Sequence, residues 1–103
     1  MGEEFKNDSE RAEFLLEILL NHDESPTLRH NAAIYLGHFD SEKALKSLIE
    51  LACNDHEDES LLICCGDSIA EIWDRNRDFD MDVVLAQVST STKDEIKNWL
   101  ARK

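Results

Sequence analysis

Apolar residues recur along the chain at intervals of three and four, the spacing that gathers them on one face of a helix. Ala12, Leu15, Leu16 and Leu19 make the first stripe, preceded by Asn7 and Glu10 as a capping pair. Ser25-Pro26 reads as a cap followed by proline at the first helical position, and Leu28, Ala32, Leu36 and Phe39 follow it. Asp40-Ser41 opens a third stripe of Leu45, Leu48, Ile49 and Ala52. Asp58 opens a fourth, Leu61, Cys65, Ile69 and Ile72, and Asp80 a fifth, Met81, Val84, Leu85 and Val88. Thr92 with Glu95 caps a sixth, carrying Ile96, Trp99 and Leu100. Six helices with short connections predict an all-α domain.

A shift of 33 residues lays one part of this pattern on another. Thr27, Leu28, Ala32, Ala33, Leu36, Gly37 and Phe39 fall on Ser60, Leu61, Cys65, Gly66, Ile69, Ala70 and Ile72. The same shift carries Leu15, Leu16, Glu17, Ile18 and Asn21 onto Leu48, Ile49, Glu50, Leu51 and Asn54. Small residues meet small and large meet large, at one offset for two kinds of helix, which marks a repeat of antiparallel helix pairs. The register breaks after Trp73. Matching Ala44, Leu45 and Leu48 to Val84, Leu85 and Val88 takes about seven further residues, found in the stretch from Asp74 to Asp80 and read as a lengthened turn. The expected architecture is a short α-solenoid of about six helices in antiparallel pairs. It comprises a half repeat (8–22), two repeats (25–54 and 58–89) and a capping helix (92–102).

The stretch Leu28-Arg29-His30-Asn31-Ala32-Ala33-Ile34-Tyr35-Leu36-Gly37 resembles the first helix of HEAT-like repeats, most closely the bacterial phycobilisome-lyase type. That type has an Asp-containing turn, a Leu/Val-Arg pair, two small residues and Leu-Gly. The resemblance runs over roughly residues 10–89, and Asn54-Asp55 matches the turn loosely. The second unit departs from it, with Leu62 at the place of Arg29. Leu28-Arg29-His30-Asn31 is also similar to the Leu-Arg-His-Glu stretch of the deoxyhypusine hydroxylase family, whose His-Glu pairs hold two irons. Here Asn31 replaces the Glu, Ile63 and Cys64 stand at the register positions of His30 and Asn31, and His56-Glu57 falls in a turn. Asn is a poor anionic ligand, so the resemblance supports the fold and carries no metal with it.

The chain has 103 residues, 23 acidic and 11 basic, for a net charge of −12, and 42% of it is apolar. That length suits one domain and that apolar content a real core. Nucleic acid and anionic membrane are excluded as partners, since both are bound through cations that the acids here outnumber. Met1-Gly2-Glu3-Glu4 lacks the basic and apolar regions of a signal peptide, and Lys6 stands where a myristoylation motif wants Ser or Thr. Apolar runs such as Leu61 to Cys65 are too short to span a membrane. Cys53, Cys64 and Cys65 are odd in number, and two are adjacent, which disfavours pairing. They read as reduced packing thiols of a cytoplasmic protein. No cysteine–histidine spacing fits a structural zinc site, no base or oxyanion site accompanies a nucleophile, and no phosphate loop is present. No enzymatic activity, metal or cofactor is expected.

The charge is unevenly placed: −6 over residues 1–24, +1 over 25–46, −9 over 47–92 and +2 beyond. Ser47 to Asp74 holds eight acids, among them Glu57, Asp58 and Glu59, and no Lys or Arg. On the fourth helix Asp67, Glu71 and Asp74 fall at i, i+4, i+7 as a stripe opposite the apolar face. Such spacing costs ~0.2–0.5 kcal/mol per like-charged pair. Asp78, Asp80 and Asp82 continue the acid beside Arg75 and Arg77. The stripe is either a solubilising face or a docking surface that steers a basic partner. Trp73 is either core or interface anchor, Tyr35 lies off its helix's apolar stripe and reads as interface, and Trp99 reads as core. The functional expectation is a monomeric protein-binding module. In its most concrete form it is a bacterial immunity protein or antitoxin that neutralises a basic, nuclease-type toxin domain; the alternative is a general HEAT-like adaptor or regulatory subunit.

Overall fold

A computed structural model describes residues 8–77 and 79–102. Six helices follow in order: α1 (Asp8–Leu20), α2 (Pro26–Leu36), α3 (Glu42–Ala52), α4 (Glu59–Asn76), α5 (Met81–Gln87) and α6 (Thr90–Ala101). The expected Asn7 cap lies outside the described residues. Four of the expected starts are made by the residues read for them. Ser25 Oγ accepts the Leu28 N–H at 3.2 Å, Ser41 Oγ that of Ala44 at 3.1 Å, Asp58 that of Leu61 at 3.0 Å and Asp80 that of Asp82 at 3.0 Å. Each satisfies one of the donors a helix start leaves open.

The sixth start differs from expectation. α6 begins two residues earlier, at Thr90, with Ser89 as its cap. Thr92 is fully buried, and its hydroxyl donates to the Leu62 carbonyl at 2.9 Å. A threonine in that setting serves packing between helices rather than capping, because its side chain has a partner on α4.

The 33-residue register is reproduced atom for atom in the turns. Asn21 Oδ1 accepts the Asp23 N–H and Asn54 Oδ1 the His56 N–H, each at 3.0 Å. The capped donors Leu28 and Leu61 stand at the same offset, as do the buried triads Ala32, Ala33, Leu36 and Cys65, Gly66, Ile69. One departure from the expected layout is clear. α4 has 18 residues against the 11 of α2, so the additional residues lengthen a helix by about two turns and leave the following connection short. Arg77, in the left-handed region at φ 57°, ends it. Its guanidinium lies 4.1 Å from the Trp73 ring, a cation–π contact that helps offset the strain of that backbone.

The helices form two layers, α1, α3 and α5 against α2, α4 and α6. α4 is the centre, packed on α2, α3 and α6. The layer seams are close. A Cβ on Gly37 would lie 2.8 Å from Ser68 Oγ and 3.0 Å from its Cα, and one on Gly66 would lie 3.0 Å from the Thr92 carbonyl oxygen. Ser68 uses the first approach to donate its hydroxyl to the Ala33 carbonyl.

Candidate functional site

The acids of the α3–α4 turn carry structural duties. Arg29, buried on α2, donates from Nε to the Leu19 carbonyl at 2.9 Å and so closes the C-terminus of α1. Its Nη2 faces Glu57 at 3.5 Å, and Glu57 is nearly buried. Asp58 caps α4 and also contacts His30 at 3.0 Å. The Leu61 amide and His30 together hold the Asp58 carboxyl below the usual carboxylate range. His30 thus belongs to a cap. Glu59 accepts from the Ser91 hydroxyl at 3.3 Å, which ties the start of α4 to α6.

The stripe of Asp67, Glu71 and Asp74 is divided among three surroundings. Asp67 is half-buried against α6 and faces Glu95, and its Oδ1 is sealed from solvent without a hydrogen-bond partner. Desolvation, and the hydrogen bond two carboxyls make only when one keeps its proton, push Asp67 up to about 7. Glu71 meets His38 of the preceding repeat at 3.2 Å, and Asp74 pairs with Arg77 at 3.5 Å. The spacing predicts the three acids as one stripe opposite the apolar face; Asp67 instead sits in a seam between helices, because sign and burial there are set by neighbours from other repeats.

Among the remaining candidates, Trp73 is half-buried and donates its Nε1–H to the Phe79 carbonyl at 3.1 Å. Asp80 is occupied as the α5 cap. Asp78 lies outside the described residues. Tyr35 is 54% exposed and lines a shallow cavity of about 460 Å³ with Arg11, Phe14, Leu15, His38 and Phe39. Asp40, which the charge pattern did not single out, gathers Asn76 and Arg75, each at 2.9 Å, and both hold its carboxyl low. Arg75 also donates to the Gly37 and Phe39 carbonyls, closing α2 as Arg29 closes α1.

The cysteines are free. Burial pushes Cys65 up to about 12 and raises Cys64 and Cys53 less, the opposite of what a nucleophilic thiol requires. Among the described residues no three His, Cys, Asp or Glu side chains converge on a metal position, and no helix is long and apolar enough to cross a membrane.

What sequence spacing did not single out is the cleft between α3 and α5, about 600 Å³. Its walls carry Leu45, Ile49 and Val83, and its rim Glu42, Glu50 and Asp80. Because these residues come from helices some 40 positions apart, no local motif announces them.

A family model of HEAT repeats matches residues 8–102, nearly the whole chain. The chain is a HEAT-repeat protein. The match is to HEAT repeats as a class and does not single out the phycobilisome-lyase type. No curated protein and no solved structure matches it. HEAT repeats are protein-interaction and adaptor modules, and this HEAT protein offers the paired helix layers through which such modules present a surface.

Proposed function

We propose that this HEAT-repeat protein acts by binding a basic protein partner and has no catalytic activity of its own. Its most specific form is an immunity protein or antitoxin of the bacterial cytoplasm that covers the nucleic-acid groove of a nuclease-type toxin domain. The observation that carries the reading is the net −9 of residues 47–92. Several acids there and next to them, Glu42, Glu50, Asp55 and Asp82, have no cation partner among the described residues. Acids tied up in caps add long-range field, whereas unpaired ones are free to meet Lys and Arg and steer association. The family match to HEAT repeats in general supports a second reading, an adaptor or regulatory subunit unrelated to toxins.

The test is association with purified basic nuclease-type toxin domains across about 50 to 500 mM salt. Affinity that falls steeply with salt, together with loss of nuclease activity in the complex, supports inhibition of a toxin. Affinity that is insensitive to salt, or absent for every basic domain tried, refutes the electrostatic reading. A salt-sensitive complex that leaves the nuclease active favours the adaptor.

A further inference from the structure

The cleft between α3 and α5 exists because the repeat is irregular. α3 packs on α1 and α4, whereas α5 makes no comparable contact with α3. The two are tied at their C-terminal ends, where the Ser89 N–H donates to the Ala52 carbonyl at 2.9 Å. The additional two turns of α4 carry the chain farther before α5 begins, and α5 itself has only seven residues. The apolar walls of α3 and α5 therefore stand apart instead of covering each other.

Those walls and their rim carry a specific chemistry. Leu45 and Ile49 lie one turn apart and half-buried, and across from them Val83 is 51% exposed. Glu42 and Glu50 flank this strip on α3 and have no cation partner among the described residues, and Asp80 adds a third carboxylate. Lys46 is the one cation of the lining. α3 is about 16 Å long by its eleven residues, enough for roughly three turns of a helical ligand. The apolar spacing suits a ligand helix with anchors at i, i+3 or i+4 and i+7.

The geometry points to this cleft as the docking site for a short amphipathic helix of the basic partner. Its apolar stripe lies on Leu45, Ile49 and Val83, and its Lys or Arg side chains on Glu42, Glu50 and Asp80. The inference rests on the reading of a basic partner and adds where and in what form that partner binds.

The probe is a fluorescein-labelled Leu/Lys peptide of about 14 residues patterned as an amphipathic helix, compared by anisotropy with a scrambled peptide of the same composition. The patterned peptide binds about tenfold or more tightly than the scramble. Val83→Lys and Glu50→Lys, both at exposed positions, each weaken it about tenfold, while Glu17→Lys, at an exposed position of α1, has little effect. Glu50→Gln serves as a milder second variant, and far-UV circular dichroism verifies that each chain is folded. Equal binding of the two peptides, equal weakening by Glu17→Lys and Val83→Lys, or no binding at all overturns the cleft. Salt-sensitive binding to a folded basic domain would then still stand, so the loss of the cleft and the loss of the basic partner are separate results.

Discussion

Replacing Asp67 by Asn is expected to make the protein more stable, by an amount that depends on pH. In the folded chain Asp67 sits between the Gly66 seam and Glu95, and it holds its proton to about pH 7, against an ordinary value of 3.8. The unfolded chain releases that proton near pH 4. Below this both states are protonated and the group is neutral in both. As pH rises toward 7 the folded state must either keep a proton the unfolded state gives up or place a charge beside Glu95. The stability this group contributes is therefore present at low pH and lost as pH rises through 7. A shift of that size corresponds to at most about 4 kcal/mol for a carboxyl cut off from water. Asp67 is only half-buried, so solvent screening reduces the expected effect to about 1–2 kcal/mol. Asn reproduces the neutral form at every pH and donates to Glu95. Urea unfolding followed by circular dichroism at pH 4, 6 and 8 is the assay. The variant matches the wild type at pH 4 and exceeds it by about 1–2 kcal/mol at pH 8. A gap that is the same at all three pH values, or a variant weaker at pH 8, would refute the reasoning.

Three other outcomes are expected. Arg29→Met leaves Glu57 and the Leu19 carbonyl without their buried partner, at a cost of about 2–4 kcal/mol in chemical denaturation, with Glu57→Gln costing less. Gly66→Ala places a methyl 3.0 Å from the Thr92 oxygen and lowers stability by about 1–3 kcal/mol, readable as a drop in Tm; an unchanged Tm would mean the α4–α6 seam is looser than described. With a thiol reagent at pH 8, exposed Cys53 reacts first, and Cys65, held up to about 12, reacts only on unfolding; early labelling of Cys65 counts against the packing around it.

The helices and their repeat were legible because they rest on local chemistry. Ser25 and Asp58 are caps in the sequence and caps in space, and the turns at Asn21 and Asn54 close in the same way. Legibility failed where a residue's partner comes from another repeat. Thr92 looks like a cap until Leu62 takes its hydroxyl, and Asp67 looks like surface until Glu95 faces it. The stretch from Asp74 to Asp80 looks like a turn because the register stops at Trp73, although the helix continues to Asn76 on residues with no repeat counterpart. The cleft was hidden for the same reason, since Glu50 and Val83 line one cavity although they lie on helices more than 30 positions apart.

That length also bears on how the domain comes apart. In a regular solenoid each unit couples only to its neighbours, and opening spreads inward from the ends. Here α4 is shared by the interfaces to α2, α3 and α6, so α6 cannot detach from the C-terminal side without loosening the helix that also holds α2 and α3, whereas α1 rests on α2 and α3. The helices joined through α4 are therefore expected to open together, and α5, which makes no comparable interface, is expected to be the segment whose amides exchange with solvent at the lowest free energy.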